Sequence, residues 1–200
     1  MGALVADLDP AHARLLAHAS VVGALAAVPV PWLPEFGQVL ARRRLVDAVA
    51  KEQRVVLGAA ARRALADALA PSEQALTGSL TSRFVAARMA RKLKLLAALP
   101  ALEAAVALAA GAWLLERAFV RCQEQGVTMS EAEAKRTERV VRGALAAFIK
   151  PDALEEVLRQ TGALDEGLAF RVRVQRALQG LPAESLRVLE ARFDEGWNSL

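Results

Sequence analysis

The chain has no tyrosine and a single cysteine, Cys122. One thiol forms no intramolecular disulfide, so nothing asks for an oxidising compartment, and the expected setting is the cytoplasm. Aromatic side chains make up 4% of the 200 residues against 54% apolar residues overall, which leaves Ala, Leu and Val to build the core. Ala and Leu are the strongest helix formers, and small side chains let helices approach closely.

No window alternates apolar and polar residues over a strand length between turn signals, so β-structure has no candidate. No Gly-x-Gly-x-x-Gly, Walker-type loop or Gly-x-Ser-x-Gly occurs, which removes the sequence basis for nucleotide binding and α/β-hydrolase chemistry. His12 and His18 stand six residues apart, about 240° around a helix, so they do not share a face as paired metal ligands do. Arg121 is placed beside Cys122 to depress its pKa, but no histidine is near in sequence to act as a base. We therefore expect no catalytic residue, no metal ligand and no cofactor, and read the chain as a non-enzyme.

Long unbroken apolar runs are also missing. The uncharged stretch Ala19 to Pro34 is interrupted by Pro29, Pro31 and Pro34, and Leu95 to Leu115 contains Glu103. A spanning helix needs about 20 apolar residues, and a central carboxylate costs about 2.5 to 3.5 kcal/mol on insertion scales. Met1 to Pro10 carries Asp7 and Asp9 where a secretory signal has basic residues, so no such signal is expected. Any membrane contact is expected to be peripheral, at the cytoplasmic face of the inner membrane.

What the sequence does hold is a succession of helices. Asp9 and Pro10 read as cap and first residue of a helix from Ala11 to Val28, stopped by the prolines. A second is expected from Glu35 to Leu57, with Leu40, Val46, Val49 and Val56 as its apolar stripe and Gly58 as a kink or C-cap. Ala59 to Ala70 continues as helix to Pro71. Pro100 is expected to kink or break the chain before the least polar helix, Ala101 to Gln125, which Gly126 closes. Ser130 with Glu133 reads as a capping box, and Asp152 with Glu155 repeats the device. Gly162 and Gly180 punctuate two short helices, and Pro182 opens the last, which ends near Gly196. The fold class is all-α: a single-domain, multi-helix bundle. Residues 1–128 form its apolar, Ala-rich part and residues 129–200 a more charged helical part packed on the first.

The formal net charge is +4. Its densest concentration is Arg83, Arg88, Arg91, Lys92 and Lys94, five cations with no acid between Glu73 and Glu103. Opposite them Val85, Met89, Leu93 and Leu96 follow at steps of four, four and three, the layout of a basic amphipathic helix. That face is the candidate binding surface. Arg42, Arg43 and Arg44 form a second cluster, read as a solvated face because Asp47 and Glu52 follow. Val174 to Gly196 resembles the opening of the promoter-reading region of bacterial sigma factors, but no recognition helix follows it, so DNA binding ranks third among the functions considered.

The order of features from residue 12 to 126 resembles two bacterial families. An apolar helix reaches Pro29-Val30-Pro31, a basic helix follows to Gly58, a basic helix runs into Leu99-Pro100, and an Ala/Gly-rich helix passes through Ala110-Gly111-Ala112 to Gly126. This is similar to the YcjF-type and EcsC-type families of helical, often membrane-associated proteins, the first frequently found beside or fused to small GTPases. Trp32-Leu33-Pro34-Glu35 and Pro100-Ala101-Leu102-Glu103 depart from the families' pattern, which points away from membrane insertion. The resemblance implies a non-enzymatic adaptor at the cytoplasmic membrane surface or on a protein partner such as a small GTPase. The alternative is a soluble homo-oligomeric structural protein whose Ala-rich helices self-associate. Nucleic acid is the least expected partner.

The circular dichroism spectrum should be dominated by helix with negligible strand. A strand content at the level of an ordinary mixed domain would overturn this reading.

Overall fold

In the computed structural model, residues 13–14, 17–18, 34–70, 94–146, 148, 151–165 and 167–199 are described. They form seven helices and no strand: α1 (Pro34–Glu52), α2 (Ala59–Ala68), α3 (Lys94–Glu124), α4 (Glu131–Ala146), α5 (Pro151–Gln160), α6 (Phe170–Gln179) and α7 (Ala183–Asn198). The protein is all-α, as the composition requires. Residues 13, 14, 17 and 18 are also helical.

Helix α3 is the centre. Every residue from Ala109 to Glu116 is buried, so this part of the helix has no solvent face. Helices α1, α4, α5 and α6 pack on it, α2 lies against α1 and α4, and α7 lies against α4. Small residues set the spacing. At Gly111 an added methyl would overlap the side chain of Leu69, so the glycine admits the end of α2 against the middle of α3.

The other helices each bury one stripe. In α4 this is Ala134, Thr137, Val140, Val141 and Ala144; in α7 it is Leu186, Leu189, Phe193 and Trp197, at steps of three, four and four. The buried apolar residues of α1 to α7 form one cluster. Helix α6 packs on α3 and α5 while α7 packs on α4, so the segment that resembles a sigma-factor region sends its two helices to different partners.

Three boundaries depart from expectation. Helix α1 ends at Glu52 instead of Leu57, and Gly58, with extended backbone, precedes α2. Its buried face is Leu45, Val46, Val49 and Ala50, while Leu40 is 42% and Val56 93% exposed. Pro100 neither breaks α3 nor starts it; the helix opens six residues earlier. A proline there loses the bond to the Leu96 carbonyl and its ring crowds that carbonyl, a local cost of about 3 kcal/mol that the rest of a long, buried helix outweighs. Asp152 lies inside α5, which begins at Pro151.

Three helices end in the same way. Val55 N–H donates to the Ala50 carbonyl at 2.8 Å, Val127 to Cys122 at 2.8 Å, and Ala163 to Leu158 at 3.0 Å. Each closure places the preceding residue in the left-handed region: Arg54 at φ 56°, Gly126 at 66° and Gly162 at 63°. Glycine adopts this freely, whereas a residue with a Cβ gives up about 1 to 2 kcal/mol. Arg54 bears that strain.

At the start of α4, Glu133 N–H donates to Ser130 Oγ at 3.2 Å, the first half of the capping box. The second half is not made: the Glu133 carboxylate accepts from Arg136 at 3.4 Å, and Ser130 N–H donates to the Thr128 carbonyl. With one bond instead of two, Ser130→Ala should cost about 0.5 to 1 kcal/mol, the lower part of the range for such caps. Urea midpoints of parent and variant measure it, and unchanged midpoints would show that the cap contributes nothing.

Candidate functional site

Of the five cations expected to form a binding face, Arg83, Arg88, Arg91 and Lys92 lie outside the described residues, as do Val85, Met89 and Leu93. Lys94 is the first residue of α3. The charged segment therefore runs directly into the central helix.

The described residues hold a second charged constellation that the sequence reading passed over. Glu116 sits in the buried wall of α3 and is only 8% exposed. His18, 4% exposed, donates from Nε2 to Glu116 Oε2 at 3.2 Å, and Gln53 Nε2 donates to Oε1 at 3.2 Å. Arg14 Nε stands 3.9 Å from Oε1. Arg14 and His18 are one helical turn apart, so both reach the same carboxylate from one face. Three stretches of chain thus converge on Glu116: the N-terminal helical residues, the loop after α1, and α3 itself. The hydrogen bond from His18 holds the Glu116 carboxyl below its ordinary pKa; burial opposes this, and the charges of His18 and Arg14 assist it.

From the next residue of α3 onward the pairing continues outward. Arg117 donates to Glu190 at 3.3 Å and to Asp194 at 3.2 Å, and Arg121 donates to Asp194 at 2.6 Å. The Arg121 guanidinium also lies 5.3 Å from the centre of the Phe193 ring and 5.9 Å from that of Trp197, and Arg136 lies 5.3 Å from Trp197. Arginines of α3 and α4 therefore pin α7. Beside them is a cavity of about 300 Å³ lined by Arg14, Trp113, Glu116, Arg117, Val120, Arg121 and Glu124.

Cys122 is buried. Arg121 turns to Asp194 instead of the thiol, and burial, with Glu133 nearby, pushes the thiol pKa up to about 11 against the weaker opposing effect of Arg136. Such a thiol is protonated at neutral pH and is a poor nucleophile. Among the described residues no three His, Cys, Asp or Glu side chains are grouped to hold a metal ion. Of the charged groups around the cavity, Arg14 and Glu116 pair with each other and Arg117 and Arg121 pair with α7, an arrangement that fixes helices in register. Comparison with protein families, with curated proteins and with solved structures finds no match for this chain.

The pH dependence of the Glu116 contact has a definite sign. Because its folded pKa is lowered, its contribution is complete above the ordinary carboxylate pKa and is lost as pH falls through the lower folded value. Glu116→Gln should cost about 1 to 3 kcal/mol at neutral pH, since it removes the charge from one buried and one part-buried hydrogen bond. The gap between parent and variant should narrow as the solution is acidified. Urea midpoints across the acid range measure this, and parallel profiles would show that Glu116 is not ionised in the folded protein.

Proposed function

We propose that the protein is a non-enzymatic helical adaptor that works through its cations, at the anionic cytoplasmic face of a membrane or on an acidic protein partner such as a small GTPase. One observation carries the reading: the acid-free stretch between Glu73 and Glu103 holds Arg83, Arg88, Arg91, Lys92 and Lys94, the last of which is the first residue of the central helix. The mutual pairing of the ionisable groups around Glu116 and the raised pKa of Cys122 support a binding role over a catalytic one. Among the described residues no helix is long and apolar enough to cross a membrane, so the lipid version of the adaptor is peripheral. The kinship with YcjF-type and EcsC-type proteins belongs to the same proposal.

The test is vesicle co-sedimentation of the parent and of the triple variant Arg88→Gln, Arg91→Gln, Lys92→Gln, with melting curves alongside. Gln is nearly as good a helix former as Arg, so the fold should survive. Each cation near an anionic surface is worth about 1 kcal/mol, so binding should weaken on the order of a hundredfold, and added salt should weaken the parent in the same direction. Equal binding by the two proteins would overturn the assignment of these cations. A parent that ignores anionic lipid would move the function to the protein partner.

A further inference from the structure

Outside the charge knot of α3, the least explained features are the cations of α1 and the loop that follows it. We propose that the outer stripe of α1 and the α1–α2 loop form a second docking surface, whose ligand is the headgroup layer of an anionic membrane. The proposal rests on the adaptor reading above in its lipid form and adds a contact that the reading does not contain.

Leu40, Arg43, Arg44, Asp47 and Lys51 are all exposed. At about 100° per residue they fall within an arc of about 100° on α1. Asp47 is the one acid in the arc, and Arg62 of α2 takes it at 2.6 Å. Arg43, Arg44 and Lys51 make no ion pair among the described residues. Glu52, also exposed, lies about 100° round the helix from Lys51, on the flank of the arc. The stripe therefore presents uncompensated positive charge with an exposed leucine at one end.

At its other end the stripe meets the loop. Val55 is partly buried against the core and Leu57 is buried, but Val56 between them is 93% exposed. The loop is held from beneath: Gln123 Nε2 donates to the Gln53 carbonyl at 2.7 Å, and the Gln53 side chain donates to Glu116. A tethered loop thus carries a bare valine outward. Next to it Arg54 occupies the left-handed position that glycine fills at the ends of α3 and α5. A strained residue kept where a better one exists is a pointer to use, and here the side chain kept is a cation beside an apolar tip.

The occupant is a lipid surface for a chemical reason. The cores of protein interfaces concentrate aromatic residues and Met together with Arg, and of these this surface has only Arg. A membrane surface asks only for cations at phosphate level and an apolar side chain that enters the headgroup boundary.

The experiment places an environment-sensitive fluorophore on Val56→Cys in the full chain. Cys122, buried and with its raised pKa, should leave position 56 as the labelled site, and unsubstituted protein measures any leakage. A second label on Glu184→Cys, on α7, is the control. With vesicles of phosphatidylcholine and phosphatidylglycerol the probe at 56 should shift to the blue; with phosphatidylcholine alone, or at position 184, it should not. Replacing Arg43, Arg44 and Lys51 by Gln should weaken binding roughly a hundredfold, as expected for three cations near the surface. Arg54→Gly should bind less tightly and yet melt at a higher temperature, which separates lost contact from lost folding. If the parent pellets with anionic vesicles while the probe at 56 stays unshifted, this surface is overturned and the basic segment before α3 stands alone. If the Arg88, Arg91, Lys92 variant binds like the parent while the α1 variant does not, the inference holds and the earlier assignment fails. A parent that binds no anionic vesicle overturns the inference outright.

Discussion

A carboxylate in the buried wall of the central helix constrains everything around it. Glu116 lies where α3 has no solvent face, and an ionised group there must be met by donors or give up its charge. The donors come from far away in the chain. His18 is 98 residues distant in sequence and Gln53 is 63. Satisfying one side chain therefore fixes the N-terminal helical residues and the α1–α2 loop against α3. The loop is tied a second time through the Gln53 carbonyl, so its geometry follows from the same constraint.

The scarcity of aromatic residues shapes the rest. A core of Ala, Val and Leu gains little area per side chain, and it compensates by bringing helices close, as Gly111 does for Leu69. Two of the few large rings lie together on α7. Phe193 and Trp197 stack with centroids 5.5 Å apart at the end of α7, and Arg121 and Arg136 lie against them. Arg136 also donates to the Trp197 carbonyl at 2.9 Å, near the C-terminal end of the helix, where a cation is favoured. Ion pairs to Asp194 and Glu190 complete the attachment, so α7 is held on α3 by charge and on α4 by packing.

Local signals read well from sequence, and tertiary ones did not. Gly126 closing α3 and Ser130 capping α4 are short-range effects of φ freedom and a side-chain oxygen, visible in the residues themselves. The end of α1 was misread because Arg54 does what glycine usually does, so the terminating residue carried no mark. Leu40 and Val56 were expected inside because hydrophobicity and spacing suggest a face; which face is buried is decided by partners, and Leu45 and Ala50 took their place. Glu116 escaped notice one residue beyond the apolar stretch Leu95 to Leu115. For its partner His18 the spacing that matters is the four residues to Arg14, not the six to His12. No spacing rule links residues 18, 53 and 116; only the packing of three chain segments brings them together.

The long central helix also separates Lys94, the described member of the basic segment, from the loop after α1. Lys94, where the basic segment enters, and Gln123, which holds the α1–α2 loop, are separated along α3 by about 44 Å at about 1.5 Å per residue. On the proposed reading a contact at either end alone is a handful of cations against a screened surface, and such contacts are weak and reversible. Two contacts on one rigid spacer behave differently. Once one end is bound, the other is held at high effective concentration over the same surface, and the combined affinity exceeds either part without any new interaction. A flexible connection would dilute that gain, whereas a helix buried on all sides across its middle preserves it. On that reading the pairing of His18 and Gln53 with Glu116 serves the same end: it ties the loop to the spacer, and leaves the work to the charges at the surface.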